Sequence, residues 1–152
     1  MNGPGTFLVA NLALAFYLVG AIWAHEVDIF RNWQVLDLSN FRRLQTMHFK
    51  KLPYWIFAPV GLALAGSVAL VWYHPTGSPA WAIWGNLGCQ VLSLVLTAMW
   101  WGRWQGRLAR DPRGAQSPYL ARILATHWLR TLLINACALC LLVWVIELAR
   151  FA

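Results

Sequence analysis

Charged side chains are scarce in this sequence. Asp, Glu, Lys and Arg together make up 11% of its 152 residues, whereas soluble domains carry about 25%. Hydrophobic residues make up 60%, and 11 residues are Trp. This composition lies far outside the range of soluble domains. We therefore predict an integral membrane protein with one small domain.

Residues that form disulfides are also few. The three cysteines, Cys89, Cys137 and Cys140, all fall inside apolar runs. An odd number of cysteines at such positions excludes a disulfide framework. We expect them to be small packing residues, because free cysteine behaves as a small hydrophobe.

The four histidines belong to no recognised metal-binding motif. The lack of H-E-x-x-H and of paired Glu-x-x-His excludes zinc proteases and di-iron bundles, and four histidines are too few for the His-rich membrane desaturases. The lack of C-x-x-C-H excludes covalently attached haem. We therefore predict no metal site.

Acidic residues are the rarest charged type, which leaves a net charge of +7. The basic residues lie beside apolar runs and not on a polar surface with base-stacking aromatics, so we expect no nucleic-acid partner. They form two stretches, one with Arg31, Arg42, Arg43, Lys50 and Lys51, the other with Arg103, Arg107, Arg110, Arg113 and Arg122.

This charge distribution predicts an orientation. Residues 1–24 and the 73–79 turn contain no Lys or Arg. Because Lys and Arg accumulate in cytoplasmic loops, we expect both basic stretches to be cytoplasmic and both termini to lie outside. A prokaryotic inner membrane is the simplest setting. The first apolar run lacks a preceding basic region, so we expect a permanent helix and not a cleaved signal peptide.

Four apolar runs are long enough to cross a bilayer. They predict an all-α fold, an integral membrane antiparallel four-helix bundle, with the lipid bilayer as its first partner. Ser117 as N-cap and Pro118 at the first helical position mark the start of the last helix. The predicted spans are residues 6–27, 53–72, 80–101 and 124–148.

The segment 32–51 is basic and partly amphipathic. Phe41, Leu44 and His48 recur at helical spacing among its Lys and Arg residues. We expect this segment to lie on the cytoplasmic membrane surface, held by anionic lipid, with Pro53 beginning the second span.

A polar stripe follows the third span. Asn86, Gln90, Ser93 and Thr97 are spaced four, three and four residues apart, so they share one helix face. Polar side chains facing lipid are costly, so we expect this face to be buried in protein. Trp100 or Trp101, and then Trp104, continue the stripe.

In such a bundle, three helix ends meet on the cytoplasmic side. His25 and Asp28 share one face of the first helix, and His127 and Arg130 share one face of the last. Two interpretations stay open, an interfacial cluster of ion pairs or a ligand site. The residues expected around a ligand are His25, Glu26, Asp28, Gln90, Trp100, Trp101, Trp104, His127 and Arg130.

Arg130 requires compensation, since it lies one to two turns inside an apolar run. An unpaired charge there costs at least about 2.5 kcal/mol. Its side chain could extend back to the headgroups. We predict instead a salt bridge to Glu26 or Asp28, direct or through a bound anion, with His25 and His127 on either side.

Three functional hypotheses follow. The first is a pocket for a hydrophobic aromatic molecule that His25 or His127 deprotonates and Arg130 stabilises as an anion. The second is an accessory subunit of a larger membrane complex, or a homo-oligomer. The third is a haem b electron carrier with His25 and His127 as ligands and Arg130 on a propionate.

A family resemblance rests on three segments: AHEVDIF at 24–30, FRRLQTMHFKKLPYW at 41–55 and ATHWLRTLLIN at 125–135. Together with the size of the chain, they resemble the four-helix membrane proteins grouped with anthrone oxygenases. The resemblance implies oxidation of an electron-rich aromatic substrate without a metal or organic cofactor. It points to His25, His127, Trp128 and Arg130 as site residues.

Overall fold

The computed structural model describes residues 3–150. Four helices in this range are long and apolar enough to cross a membrane. The described residues form no strand, so the predicted all-α class is confirmed. The helices are α1 (Gly3–Val35), α2 (Leu38–Ala69), α3 (Ala80–Leu108) and α4 (Pro118–Arg150).

The four helices extend well beyond the apolar runs that predict them. They contain 33, 32, 29 and 33 residues, which at about 1.5 Å per residue corresponds to roughly 44–50 Å. A hydrocarbon layer is only about 30 Å thick. The extensions lie mainly at the ends that carry the basic residues, because a helix continues past the apolar run as long as its backbone bonds are satisfied.

The segment 32–51 is not a helix separate from the second span. α2 begins at Leu38 and continues through Pro53 to Ala69. Pro53 therefore does not begin a helix, and the start of the membrane span at this residue stays a prediction. Its missing N–H is accommodated in a π-helical turn, Pro53–Phe57. The location of the 38–52 part on a membrane surface stays a prediction.

Three of the four helices contain a π-helical turn. These turns are His25–Ile29 in α1, Pro53–Phe57 in α2 and Thr97–Trp101 in α3. Each turn lies at one end of the apolar part of its helix, where the basic residues begin. Such turns are rare and frequently occur at functional sites, so their recurrence at one level marks this region.

Two apolar clusters hold the helices together at opposite ends. α4 packs extensively on α1 and α3, and α2 packs on α1 and α3. We call the cluster beside the basic residues the basic-end cluster: Phe30, Trp33, Phe41, Leu108, Leu120 and Ile123. The opposite cluster contains Leu8, Ala15, Leu70, Ala82, Ile83, Ala138, Leu141 and Trp144.

The polar stripe of α3 faces protein. Asn86 is fully buried, and its Nδ2 donates to Ser67 Oγ of α2 at 2.9 Å. Ser93 is also buried, while Gln90 and Thr97 are half-buried. The prediction of an inward-facing stripe is confirmed for the two buried residues, and neither of the others is exposed.

Asp111 organises the turn before α4. Its carboxylate accepts bonds from the Arg113 side chain at 2.9 and 2.8 Å and from Ser117 Oγ at 2.7 Å. These bonds hold the pKa of Asp111 far below its ordinary value. Ser117 Oγ accepts from the Tyr119 amide at 3.2 Å, which confirms Ser117 as the N-cap and Pro118 as the first helical residue.

We expect Asp37→Ala to loosen the first turn of α2. Asp37 Oδ1 accepts from the amides of Ser39 and Asn40, at 2.9 Å each, and these bonds lower its pKa to about 2. Because the folded pKa is depressed, the stabilisation is present above about pH 4 and lost as pH falls through about 2. Amide hydrogen exchange of Ser39 and Asn40 measures this. Exchange in Ser117→Ala, at the other N-cap, should leave the α2 amides unchanged.

Candidate functional site

Three histidines from three helices lie together at the level of the π-helical turns. The His25 ring centroid is 5.2 Å from that of His48 and 6.4 Å from that of His127. Trp55 stacks on His25 at 5.0 Å. Phe30 packs against both His25 and His127. The cluster is therefore an aromatic environment with imidazoles at its centre.

Hydrogen bonds orient two of these imidazoles. His25 Nδ1 lies 2.7 Å from the Ala21 carbonyl oxygen, which only accepts, so Nδ1–H donates and Nε2 carries the lone pair. His127 Nδ1 lies 2.8 Å from Glu26 Oε2. With Glu26 ionised, this Nδ1–H also donates. His127 Nε2 is then a buried acceptor without a partner among the described residues.

Glu26 links the buried site to the exposed surface. One carboxylate oxygen binds His127, and the other accepts from Arg31 Nη2 at 3.4 Å. Glu26 is half-buried, whereas Arg31 is exposed. The carboxylate thus joins α1 to α4 and positions His127 at the same time.

Arg130 has a different partner from the predicted one. Among residues 3–150, no carboxylate lies within 4.0 Å of its guanidinium. The prediction of a direct salt bridge to Glu26 or Asp28 is therefore wrong. Glu26 is turned toward His127, and Asp28 is exposed and accepts from Asn32. The Arg130 guanidinium carbon instead lies 5.7 Å from the centroid of the Trp101 ring, a cation–π contact.

A cavity of about 80 Å³ lies between the helices at this level. A water molecule occupies about 30 Å³ in the liquid, so the enclosed space holds a few waters or a small chemical group. Pockets for whole drug-sized ligands are about 300–1,000 Å³. Its polar lining is His25, His48, Thr97, Gln105 and Arg130, and its apolar lining is Ile22, Phe30, Phe49, Leu52, Ile56 and Phe57.

Buried polar atoms without partners concentrate around this cavity. Gln105 Oε1 belongs to a residue that lines it, and Trp55 Nε1 and His127 Nε2 belong to rings that contact His25. Gln45 Nε2 lies one helical turn from His48. A buried polar atom without a partner costs about 1–3 kcal/mol. The three atoms at the cavity or on rings that contact His25, which have no partner among the described residues, indicate a place that binds polar groups.

The structure brings together five of the residues expected in the site and separates the others from it. His25 and Arg130 line the cavity, His127 and Glu26 stand behind His25, and Trp101 lies under Arg130. The remaining five do not line the cavity, and each is exposed or half-buried: Asp28, Gln90, Trp100, Trp104 and Trp128.

Trp100 and Trp128 illustrate why residues close to the site in sequence do not line the cavity. Trp100 is 40% exposed and stacks on the half-buried Trp104 with ring centroids 6.4 Å apart. Trp128 is 53% exposed and donates to the Ala125 carbonyl of its own helix. Because neighbouring positions on a helix face different directions, only Trp101 of the Trp100–Trp101 pair turns inward.

Sequence reasoning missed the contribution of α2. His48, with Trp55, completes the aromatic environment, but the segment that contains His48 was expected to lie on the membrane surface. Gln105 was missed as well. A signal for it exists, because Thr97, Trp101 and Gln105 continue the polar stripe of α3 in steps of four.

The geometry does not accommodate the haem of the third hypothesis. Phe30 occupies the space beside both imidazoles, at 5.4 Å from His25 and 4.8 Å from His127. A porphyrin is far larger than the cavity of about 80 Å³.

Comparisons with known proteins do not assign this chain to a family. No family model, no curated protein and no solved structure matches the chain. The resemblance to anthrone oxygenases therefore stays an expectation. The geometry of the site combines two chemical features at a small apolar cavity: a histidine lone pair, and a guanidinium with no carboxylate within 4.0 Å among the described residues.

We expect Glu26→Leu to destabilise the protein by about 1–3 kcal/mol, because it leaves the Nδ1–H of the buried His127 without an acceptor. Denaturant unfolding in detergent micelles, followed by circular dichroism, measures the loss. Asp28→Leu is the matched control, since Asp28 is exposed and bonds within its own helix. Equal midpoints for the two variants would contradict a structural role for the Glu26–His127 bond.

Proposed function

We propose that this protein is a multi-pass membrane protein, an antiparallel four-helix bundle, whose cavity binds and deprotonates a hydrophobic aromatic molecule. The observation that carries the proposal is Arg130. Its guanidinium lines an apolar cavity with two histidines and has no carboxylate within 4.0 Å among the described residues. A cation in such surroundings stabilises an anionic ligand.

His25 is suited to act as the general base. Its Nδ1–H is held by the Ala21 carbonyl, so the lone pair on Nε2 is free to accept a proton. An aromatic hydroxyl or an acidic methylene group would donate that proton. The resulting negative charge, spread over the ring system, would lie beside Arg130, where the low dielectric of the cavity strengthens the attraction.

Oxidation by dioxygen is the reaction that the family resemblance implies. A deprotonated methylene group between aromatic rings reacts with O₂: the carbon loses both hydrogens and becomes a carbonyl with one oxygen atom, and the other oxygen leaves as water. The chain's own residues would enclose the ionisable part of the molecule, remove the proton and hold the anion. His127 and Glu26 would position His25 through the packing of the cluster.

The orientation of the bundle is part of the proposal. The ten Lys and Arg residues of the two basic stretches, against none in the 73–79 turn, support a cytoplasmic location for the cavity end. We expect a reporter enzyme that is active only outside the cytoplasm to be active when fused after Gly77. The same reporter fused after Arg113 should be inactive. The reverse pattern would show that the orientation is wrong.

The proposed chemistry can be tested with 1,8-dihydroxyanthrone as the probe. We expect purified protein in detergent to increase the absorbance of the probe's anion and to accelerate O₂ uptake over the protein-free rate. Arg130→Gln should lower the protein-dependent rate by about 10²–10³-fold, the usual effect of removing one group that stabilises a developing anion.

Arg113→Gln is the matched control for this experiment. Arg113 is exposed and binds Asp111 in the turn before α4, far from the cavity lining. This variant should keep both the absorbance change and the rate. If Arg130→Gln and wild type behave alike, or if wild type never exceeds the protein-free rate, the proposed activity is wrong for this class of substrate.

A further inference from the structure

We propose that the ligand enters the cavity sideways from the bilayer, through an opening between α2 and α3, and that only its ionisable end is enclosed. The apolar body of the ligand would stay in the gap between these helices, in contact with lipid chains. The ligand is therefore an amphiphile with a small acidic group on a hydrophobic body. This inference rests on the proposed function, because it takes Arg130 and His25 as the groups that hold the acidic end.

The cavity is too small to enclose a whole hydrophobic ligand. At about 80 Å³, it accommodates a hydroxyl or carbonyl group with a few neighbouring atoms, but not a fused aromatic ring system. A ligand that reaches Arg130 must therefore leave most of its bulk outside the enclosed space. The surroundings of the opening decide what that bulk can be.

The positions of the lining residues along the helices relate the cavity to the depth of a bilayer. At about 1.5 Å per residue, Phe57 lies roughly 18 Å from the end of α2 at Ala69, and Thr97 roughly 26 Å from the start of α3 at Ala80. Both distances fall within the roughly 30 Å of a hydrocarbon layer. Gln105, on the same scale, lies roughly 38 Å from Ala80, at the level of the headgroups.

The cavity is thus polar at one end and apolar at the other, along the direction of the helices. Gln105 and His48 line the polar end, toward the basic residues, and Phe57, Ile56 and Thr97 line the other. An amphiphile in a bilayer has the same polarity, with its acidic group near the headgroups and its body in the hydrocarbon. Because the cavity and an amphiphile in the bilayer have their polar ends in the same direction, the ligand would enter the cavity without turning over.

α2 and α3 pack against each other over only part of their length. These helices contact each other mainly through Ala58–Ala69 and Ala80–Leu96, where Asn86 binds Ser67. Toward the basic end, their π-helical turns begin, at Pro53–Phe57 and Thr97–Trp101. Phe57 lines the cavity and yet is 56% exposed. An exposed residue on the cavity wall marks its opening.

A tightly packed apolar cluster borders the cavity beside His25. Phe30 lines the cavity, contacts His25 directly and belongs to the basic-end cluster, all six residues of which are at most 4% exposed. A ligand that entered through this cluster would have to displace it. A ligand that entered between α2 and α3 would instead meet the exposed Phe57 and the half-buried Thr97.

The test uses a phenol with a para hexadecyl chain that carries a photoreactive diazirine next to the ring. Purified protein is reconstituted in phosphatidylcholine–phosphatidylglycerol vesicles that contain this probe, irradiated and digested, and the labelled residues are identified by mass spectrometry. We expect labelling to concentrate on α2 around Phe57 and on α3 around Thr97. A water-soluble phenolsulfonate should compete poorly, and an unlabelled hexadecylphenol should compete well.

Two variants separate the opening from the binding site. Thr97→Trp fills the opening and should lower labelling about tenfold, equivalent to about 1.4 kcal/mol. Val95→Trp adds the same ring at an exposed position of α3 outside the cavity lining, and should label like wild type. Arg130→Gln should also lower labelling, because it removes the group that holds the acidic end.

The outcomes distinguish the two proposals. If Arg130→Gln lowers labelling but Thr97→Trp does not, the lateral opening is wrong and the binding site stands. If labelling moves to the segments around Trp33 and Phe41, or if only the water-soluble phenol competes, the ligand enters from the aqueous phase. If Arg130→Gln labels like wild type, the proposed function fails with the inference. The competition experiment needs only wild-type protein, so it decides the route even if Thr97→Trp does not fold.

Discussion

The hydrogen bond between Glu26 and His127 is the interaction on which the rest of the site depends. It joins α1 to α4, with 2.8 Å between Glu26 Oε2 and His127 Nδ1. His127 is almost completely buried. Because Glu26, which follows His25 in the sequence, binds His127, its carboxylate does not pair with Arg130. The Arg130 guanidinium contacts the Trp101 ring instead. The pairing leaves the Arg130 charge without a carboxylate within 4.0 Å among the described residues, whereas a carboxylate beside Arg130 would neutralise that charge.

The location of Arg130 inside an apolar helix decides how its contacts are interpreted. A guanidinium at the surface without a carboxylate partner would need no explanation, since water solvates it. Inside a long apolar helix, the same group requires a compensating interaction. The contact with Trp101 supplies part of it. The partnerless polar atoms of Gln105 and His127 show that hydrogen-bonding capacity remains unused at the same level.

The cavity resembles an enzyme site because of the chemical groups around it, and not because of its volume. A base with a free lone pair, a cation for the resulting anion and an apolar wall are the components of a proton-abstraction site. The π-helical turns help to direct side chains of α1, α2 and α3 toward this space, since each inserts an extra residue and rotates the side chains beyond it, whereas Arg130 comes from the regular helix α4.

The sequence by itself determined the all-α class, the four apolar helices, the inward-facing Asn86 and Ser93, and the start of α4 at Pro118, because these follow from local composition, periodicity and capping. It also located His25, His127 and Arg130 at one level. Only the tertiary structure decided which charges pair, that Trp101 and not Trp100 or Trp128 faces inward, and that His48 belongs to the site. These depend on the rotation of each helix about its axis, on the three π-helical turns and on the unbroken course of α2 through Pro53, and no short stretch of sequence specifies how helices far apart in the chain orient their faces toward one another.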